Sequence, residues 1–271
     1  MLSAAAYIGI MTVRSPAVAG QFYPAHPARL RRMISELLAE VDPESVPAAG
    51  YVVPHAGYIY SGSTAAHAYA ALALEPPSRI LLLGPTHRVY VEGLALSGAD
   101  GFETPLGVVE TDHDLEAALR ESPAVSVRPN VHAEEHSLEV QLPFLQVVAP
   151  GVPVVPVAVG AADATAVADV IEIAFGLPGT LLLVSTDLSH YHPYADAADL
   201  DADTIERILA LDRTIPPDRA CGAYPLNGAL VAAQRHSWTP ELLSACSSGD
   251  TAGTRDAVVG YAAFRLRSGH A

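Results

Sequence analysis

Short apolar runs alternate along the chain with amphipathic segments, and three of the runs lead directly to a histidine. Residues 51–53 continue through a proline to His55, residues 80–84 continue to His87, and residues 181–185 continue to Asp187 and His190. Apolar runs of this length, bounded by turn residues, are typical of buried strands. In an open α/β sheet, functional groups collect just beyond the carboxyl ends of the strands. The pattern therefore predicts strands at all three runs and one shared site at their ends.

The remaining pattern predicts the rest of the fold. Apolar residues at helical spacing predict helices at 27–41, 63–74, 112–120, 134–148, 163–175, 199–211 and 225–236, with a kink at Pro143. Further strands are predicted at 93–97, 152–159, 242–245 and 258–264, and residues 102–107 are predicted to be a loop. The prolines in 152–159 favour an edge strand or a strand start.

Apolar strands that alternate with amphipathic helices predict an α/β fold with a central, mostly parallel sheet flanked by helices. No linker, repeat or low-complexity segment divides the 271 residues, so we expect a single domain at residues 15–267. Residues 1–14 are expected to be an N-terminal extension of it.

Composition excludes several classes of function. The net charge of −15 argues against a nucleic-acid partner. All 15 basic residues are arginines, which excludes a Schiff-base lysine and a P-loop phosphate site. Two cysteines make no disulfide framework, which favours the cytoplasm, and no apolar run approaches the roughly 20 residues that a membrane span requires. Residues 1–10 lack the basic start of a signal peptide.

The histidines at the strand ends are the leading candidates for chemistry. An imidazole at such a position is a common metal ligand or proton shuttle, whereas a lone one is more often a satisfied turn residue. His55 and His87 occupy equivalent places in two strand–helix units, which favours a site. Asp187 and His190 are either further ligands or an acid–base pair, and the alternative is a helix-capping aspartate beside a surface histidine.

Two further motifs carry reactive groups. Cys221 precedes a predicted helix that Pro225 opens, where a thiol has a depressed pKa and serves as nucleophile or soft metal ligand. The alternative for Cys221, and our interpretation of Cys246, is a small buried hydrophobic residue. Residues 132–136 match the H-x-x-E-H pattern of inverted zinc peptidases, but that motif needs both histidines in one helix and Pro129 argues against it for His132.

The motifs together resemble a known family. Six blocks occur in one order: 19–24 (AGQFYP), 54–58 (PHAGY), 84–87 (GPTH), 135–139 (EHSLE), 185–190 (STDLSH) and 221–225 (CGAYP). They resemble the Memo family, whose bacterial members include the AmmeMemoRadiSam system protein B group, over residues 15–264. The resemblance implies a single α/β domain similar to class III extradiol dioxygenases, which are non-haem iron enzymes that open catechol rings.

The resemblance also implies roles for individual residues. His55 and His87 correspond to the two histidine ligands of the dioxygenases, and Cys221 falls where those enzymes place a carboxylate. His190 corresponds to the acid–base histidine, with Asp187 and His136 lining the pocket. Fe(II) is the expected cofactor, and the thiolate adds copper and zinc as alternatives because it softens the site. Ring-opening activity does not follow from the fold.

Three functions are compatible with these residues. The first is a cytoplasmic metal-dependent oxidoreductase that acts on an unknown small molecule. The second is a non-catalytic metal-handling or partner-binding protein that works with radical-SAM and AMMECR1-like proteins, as the group's name suggests. The third is hydrolysis, through zinc at His132 and His136 or through Cys221 as nucleophile.

Overall fold

A computed structural model describes residues 11–269 of the protein. The helices are α1 (Pro27–Ala39), α2 (Tyr58–Leu74), α3 (His113–Arg120), α4 (Pro129–His132), α5 (Leu142–Val148), α6 (Ala164–Phe175), α7 (Tyr194–Leu209) and α8 (Ala223–His236). The strands are β1 (Val13–Arg14), β2 (Ala48–Val53), β3 (Arg79–Pro85), β4 (Leu94–Leu96), β5 (Gly101–Thr104), β6 (Gly107–Glu110), β7 (Val125–Val127), β8 (Val154–Val159), β9 (Thr180–Ser185), β10 (His190–His192), β11 (Thr239–Ser247) and β12 (Val258–Arg267). Residues 1–10, which were predicted to belong to the N-terminal extension, lie outside the described residues.

The main sheet of the described residues is mixed, with strand order β10-β12-β2-β9-β3-β8-β4-β7 and β11 paired to β12. Strands β2, β9, β3 and β8 are parallel and occupy its centre. Strand β12 is antiparallel to β2, and β4 is antiparallel to β8. The predicted α/β fold with a central sheet between helices is confirmed. Its parallel pairs are those of this centre and the pair formed by β4 and β7.

Each central strand is apolar along its whole length because both faces of the sheet are covered. Ile80 and Leu82 of β3 pack with residues of α1, α2 and α5 on one face. Leu81 and Leu83 point to the opposite face and pack with residues of α3, α6 and α8. Successive side chains of a strand alternate between faces, so a strand that is buried twice shows no polar alternation.

Of the two alternatives predicted for residues 152–159, the edge strand is wrong, whereas a strand start fits Pro153, which directly precedes β8. Strand β8 is buried between β3 and β4. Strand β4 pairs with β8 only at residues 157–159, so Pro156 lies outside that ladder and the sheet loses no bond to β4 there. Pro156 therefore precedes the residues that pair with β4, and Pro153 precedes the strand itself, which is internal to the sheet.

The predicted loop at 102–107 is a β-hairpin. Strands β5 and β6 pair antiparallel from Gly101 opposite Glu110 to Thr104 opposite Gly107, and Gly107 has a φ of 118°. Such a positive φ suits glycine in a tight turn. Strand β1 adds parallel to β5, so Val13 and Arg14, which were expected to belong to the N-terminal extension, take part in a sheet.

The helix predicted at 134–148 is also wrong in its first half. Residues 133–138 form turns, followed by a short 3-10 helix at Glu139–Gln141 and then α5. The carboxylate of Glu135 accepts hydrogen bonds from the backbone N–H groups of His136 and Ser137, which removes them from a helical ladder. Pro143 lies in the first turn of α5, where its missing N–H is tolerated, so it causes no kink.

The other helices agree with their predicted spans within a few residues. Asp112 and Asp163 cap α3 and α6 by accepting from the N–H groups of Leu115 and Thr165. Helix α7 begins five residues before the predicted position 199, and α8 begins two residues before Pro225. In the described part of the chain, no helix combines the length and hydrophobicity needed to cross a bilayer.

Candidate metal centre

The carboxyl ends of the central strands bring the predicted histidines together. His55 follows β2 and His87 follows β3, while His136 arrives from the turns before α5. One ligand atom from each of these three rings lies within 4.8 Å of the others. Ring centroids are 5.2 Å apart for His55 and His87, 5.4 Å for His55 and His136, and 4.6 Å for His87 and His136. Sequence reasoning assigned the first two to a metal and His136 to the pocket wall.

The hydrogen bonds around Ser185 determine which nitrogen of His55 carries the proton. The Ser185 hydroxyl lies 2.7 Å from the Ser137 carbonyl, which can only accept, so the hydroxyl proton is donated there. The Gln141 amide donates to the same Oγ at 2.8 Å. His55 Nδ1, 2.9 Å from that Oγ, must therefore donate as well. The lone pair of His55 is left on Nε2, as a metal ligand requires.

Glu135 determines the same tautomer for His87. Its carboxylate accepts from the backbone N–H of His87 at 2.6 Å and lies 2.9 Å from Nδ1 of that ring. Burial alone would raise the pKa of Glu135, but the hydrogen bonds and charge of His87 and the N–H of Ser137 outweigh it and hold the pKa at about 2. The ionised carboxylate only accepts, so Nδ1 of His87 is protonated and Nε2 carries the lone pair.

Burial keeps two rings of the cluster in the neutral form that a metal ion needs. It lowers the pKa of His55 well below its usual value, with smaller contributions from His87, His136 and His190. Burial also lowers the pKa of His136 to about 4, against the opposing charge of Glu135. Neutral imidazoles bind metal ions, whereas protonated ones repel them.

Cys221 lies against the same site but is not the activated thiol that its position predicted. Its Sγ is 3.2 Å from His55 Nε2 and accepts from the backbone N–H of Asp187 at 3.3 Å. Burial, followed by the charge of Asp187, raises the pKa of Cys221 to about 12. The expected depression at the start of α8 is therefore wrong, because burial outweighs the helix terminus. The thiol ionises only when a neighbouring cation replaces its proton.

Asp187 and His190 lie beside the cluster in the loop after β9. Asp187 accepts from the backbone N–H of His55 at 2.7 Å, and burial raises the pKa of Asp187 to about 7. It caps no helix, since α7 begins at Tyr194 after Pro193. Nδ1 of His190 donates to the Leu188 carbonyl at 2.9 Å, which leaves its Nε2 free to exchange a proton. Burial lowers the pKa of His190.

A cleft of about 370 Å³ opens beside these groups. His136, Asp187 and His190 contribute its polar wall, and its aromatic wall consists of Phe22, Tyr60, Tyr191 and Tyr261. A volume of this size falls in the range of small-molecule sites. The cleft is therefore open to a small molecule next to the histidine cluster.

The peptidase motif does not assemble. His132 ends the short helix α4, is buried, and directs Nε2 to the carbonyl of Ala95 at 2.8 Å. Among residues 11–269, the three-ligand group formed by His55, His87 and His136 does not include it. The zinc version of the hydrolysis hypothesis thus lacks its second ligand.

Some residues acquire roles that sequence reasoning did not assign. Glu139 accepts hydrogen bonds from Arg14, from Tyr23 and from the backbone of Ala17 and Val18, and so anchors the N-terminal segment. Glu135 and Ser185 stand inside the recognised blocks, but their role as partners of the histidines is visible only in three dimensions. Cys246 lies apart from the cluster, 3.0 Å from Thr64 Oγ1, in line with its structural interpretation.

Known proteins are similar to this chain over more than nine-tenths of its length. MEMO1 family proteins from Methanopyrus kandleri and Sulfolobus acidocaldarius are 38% and 34% identical to it, each across 94% of this chain and 99% of their own. A third, from Methanothermobacter thermautotrophicus, is 37% identical across 92% of this chain and 99% of its own. These relatives are archaeal.

A solved structure supports the fold. An uncharacterized protein from Escherichia coli K12 superposes with a TM-score of 0.51 at 13% identity, covering 80% of this chain and 98% of its own. At that identity the likeness concerns the fold alone. The family model described as "Memo-like protein" matches residues 14–265, and together with the archaeal relatives this shows that the chain belongs to the Memo family.

Proposed function

We propose that the protein is a metal-dependent oxidoreductase whose ion is bound by His55, His87 and Cys221. The supporting observation is that both imidazoles have Nδ1 tied to a fixed acceptor, Ser185 for His55 and Glu135 for His87, so that in the neutral rings both lone pairs lie on Nε2. The Nε2 atom of His55 faces the Cys221 thiol, whose proton a metal ion would replace. Ligating histidines characteristically have such partners on the second nitrogen.

The donor set fits an ion. Bonds of about 2.0–2.3 Å from one ion to a nitrogen and a sulfur separate those two donors by roughly 3–3.6 Å. The 3.2 Å between His55 Nε2 and Cys221 Sγ falls in this range. Within residues 11–269, Cys221 is outside the group whose ligand atoms all lie within 4.8 Å of one another, so an ion held by His55, His87 and Cys221 requires Sγ to move toward the cluster. Two neutral imidazoles and a thiol that a cation would ionise suit Fe(II), as the family resemblance suggests, with copper or zinc as alternatives.

Iron or copper would supply one-electron and O₂ chemistry when bound. The chain's own residues handle protons and position. His190 lines the cleft and donates from Nδ1 to the Leu188 carbonyl, so its Nε2 is the nitrogen that takes or gives a proton at a bound small molecule. Asp187 fixes the backbone of His55 and donates its own N–H to Cys221.

Elemental analysis after anaerobic purification tests this proposal. Wild type should carry near-stoichiometric iron or copper, and His55→Ala and Cys221→Ser should lose it. Cys246→Ser is the matched control because the second thiol lies away from the site, and it should keep the metal. Full metal content in His55→Ala and Cys221→Ser, or a wild type that binds neither added Fe(II) nor Cu(I), would refute the proposal. Metal bound without any O₂ reduction would favour metal handling beside radical-SAM and AMMECR1-like partners.

A further inference from the structure

The third ring of the cluster has no other evident role, and we infer that His136 is itself a metal ligand. The inference rests on the proposed function, because it assumes an ion at His55 and His87. The family resemblance placed His136 in the wall of the pocket, and the peptidase motif made it a zinc ligand together with His132. The structure instead groups it with the two expected ligands, with one ring nitrogen of each within 4.8 Å of the others.

The nitrogens of His136 make no hydrogen bond within residues 11–269, although the side chain is only 16% exposed. The carboxylate of Glu135 lies 3.3 Å from Nδ1 and faces it without a hydrogen bond. His190 differs, since its Nδ1 is satisfied by a carbonyl. A largely buried imidazole without a hydrogen-bond partner is costly unless something else binds it.

The ring is also held in place by its surroundings. Nδ1 of His136 lies 3.3 Å from the Glu135 oxygen that binds Nδ1 of His87 at 2.9 Å. One carboxylate therefore faces the same nitrogen of two neighbouring rings and leaves the Nε2 atoms on the far side. The ring of Phe22 packs against His136 with centroids 4.7 Å apart, which limits its rotation. Carboxylates that orient ligating histidines in this way are a regular feature of metal sites.

The consequence is a donor set of three imidazoles and one thiolate in place of the two imidazoles and one thiolate of the proposed function. A set of this kind accommodates copper and zinc as well as iron. The metal affinity should therefore depend on His136 as strongly as on His55. The proton-transfer role stays with His190, whose free nitrogen lines the cleft.

Anaerobic titration of the apo protein with Co(II) tests the inference. The d–d absorption of bound Co(II) reports the number and kind of ligands, and a thiolate-to-cobalt band reports Cys221 separately. His136→Ala should bind Co(II) at least about 10-fold more weakly than wild type and with altered d–d bands. Added imidazole should restore those bands by filling the vacated position, which a purely structural role would not allow. His192→Ala, a neighbouring histidine outside the cluster, is the control and should titrate like wild type.

The outcomes separate the two proposals. If His136→Ala titrates with the affinity and spectrum of wild type while His55→Ala fails to bind, His136 is not a ligand and the proposed function stands. If wild type itself binds no Co(II), Fe(II) or Cu(I), the proposed function fails and the inference fails with it. Weakened binding in His136→Ala that imidazole does not rescue would also overturn the ligand role.

Discussion

Glu135 offers the sharpest test of how the site is built, through the substitution Glu135→Gln. Its side chain is 1% exposed and accepts hydrogen bonds from three backbone N–H groups as well as facing Nδ1 of His87. Folding lowers the pKa of Glu135 from 4.5 to about 2, and a pKa change of one corresponds to about 1.4 kcal/mol. The ionised form therefore adds up to about 3 kcal/mol to the free energy of unfolding. Because the group is buried, this figure needs no reduction for solvent screening.

The pH dependence has a defined sign. A carboxyl group with a lower pKa in the folded state stabilises the protein fully above its unfolded value and loses that effect as pH falls. Wild type should therefore be more stable than Glu135→Gln by about 1–3 kcal/mol in urea unfolding of the apo proteins at pH 7, because the part of the shift that comes from the charge of His87 is absent when that ring is neutral. The difference should shrink as pH falls from 4.5 to about 2. Co(II) affinity of Glu135→Gln should fall about 10- to 100-fold, since His87 loses its fixed orientation.

Glu139→Gln is the matched control, because Glu139 is an equally buried carboxylate a few residues away that binds Arg14 and the N-terminal segment. It should destabilise the protein and leave Co(II) affinity unchanged. A loss below about 1 kcal/mol in Glu135→Gln at pH 7 would show that its hydrogen bonds do not carry the stability assigned to them. Equal loss of Co(II) affinity in both variants would show that Glu135 acts only through the fold.

Three further substitutions test local features. Burial lowers the pKa of His132 to about 4, so the unfolded chain takes up a proton at this histidine before the folded chain does. This should lower the free energy of unfolding of wild type by up to about 3 kcal/mol between pH 6.5 and 4. His132→Gln should remove that part of the pH dependence in urea unfolding, and an unchanged pH dependence would contradict it. A Cβ at Gly222 would lie 2.6 Å from Cβ of Thr186, so Gly222→Ala should lower the free energy of unfolding by about 1–3 kcal/mol. It should also displace the adjacent Cys221, which would weaken the thiolate-to-cobalt band. An unchanged melting temperature would refute this overlap. Tyr191 is exposed with a φ of 60°, so Tyr191→Asn should raise stability by about 0.5–1 kcal/mol in thermal unfolding, and a loss would reveal a packing role for the ring.

The placement of the site was predictable because it depends on strand ends. Buried parallel strands appear in the sequence as uninterrupted apolar runs, and the first polar residues after them must lie at one edge of the sheet. This rule alone places His55, His87, Asp187 and His190 together. The α/β fold follows from the same alternation of strands and helices.

The features that sequence did not predict arise from side-chain contacts and burial that hydrophobic periodicity does not report. Periodicity in 134–148 is real, yet the Glu135 side chain captures two backbone N–H groups and prevents a helix there. Proximity to a helix start suggested a reactive Cys221, but the depth of burial, which no local pattern reports, decides its pKa. The partners of His55, contributed by Ser185 and Gln141, come from two separate elements.

Three chemically different acceptors select the same tautomer in three histidines at this site. A serine hydroxyl accepts a hydrogen bond from Nδ1 of His55, a carboxylate accepts one from Nδ1 of His87, and a backbone carbonyl accepts one from Nδ1 of His190. Packing alone has no reason to select the same tautomer three times, whereas a site that uses Nε2 lone pairs requires it. The Cys221 thiol lies 3.2 Å from one of these lone pairs and ionises only when a cation takes the place of its proton. Metal binding at this cluster must therefore release a proton, which couples the affinity for the ion to pH.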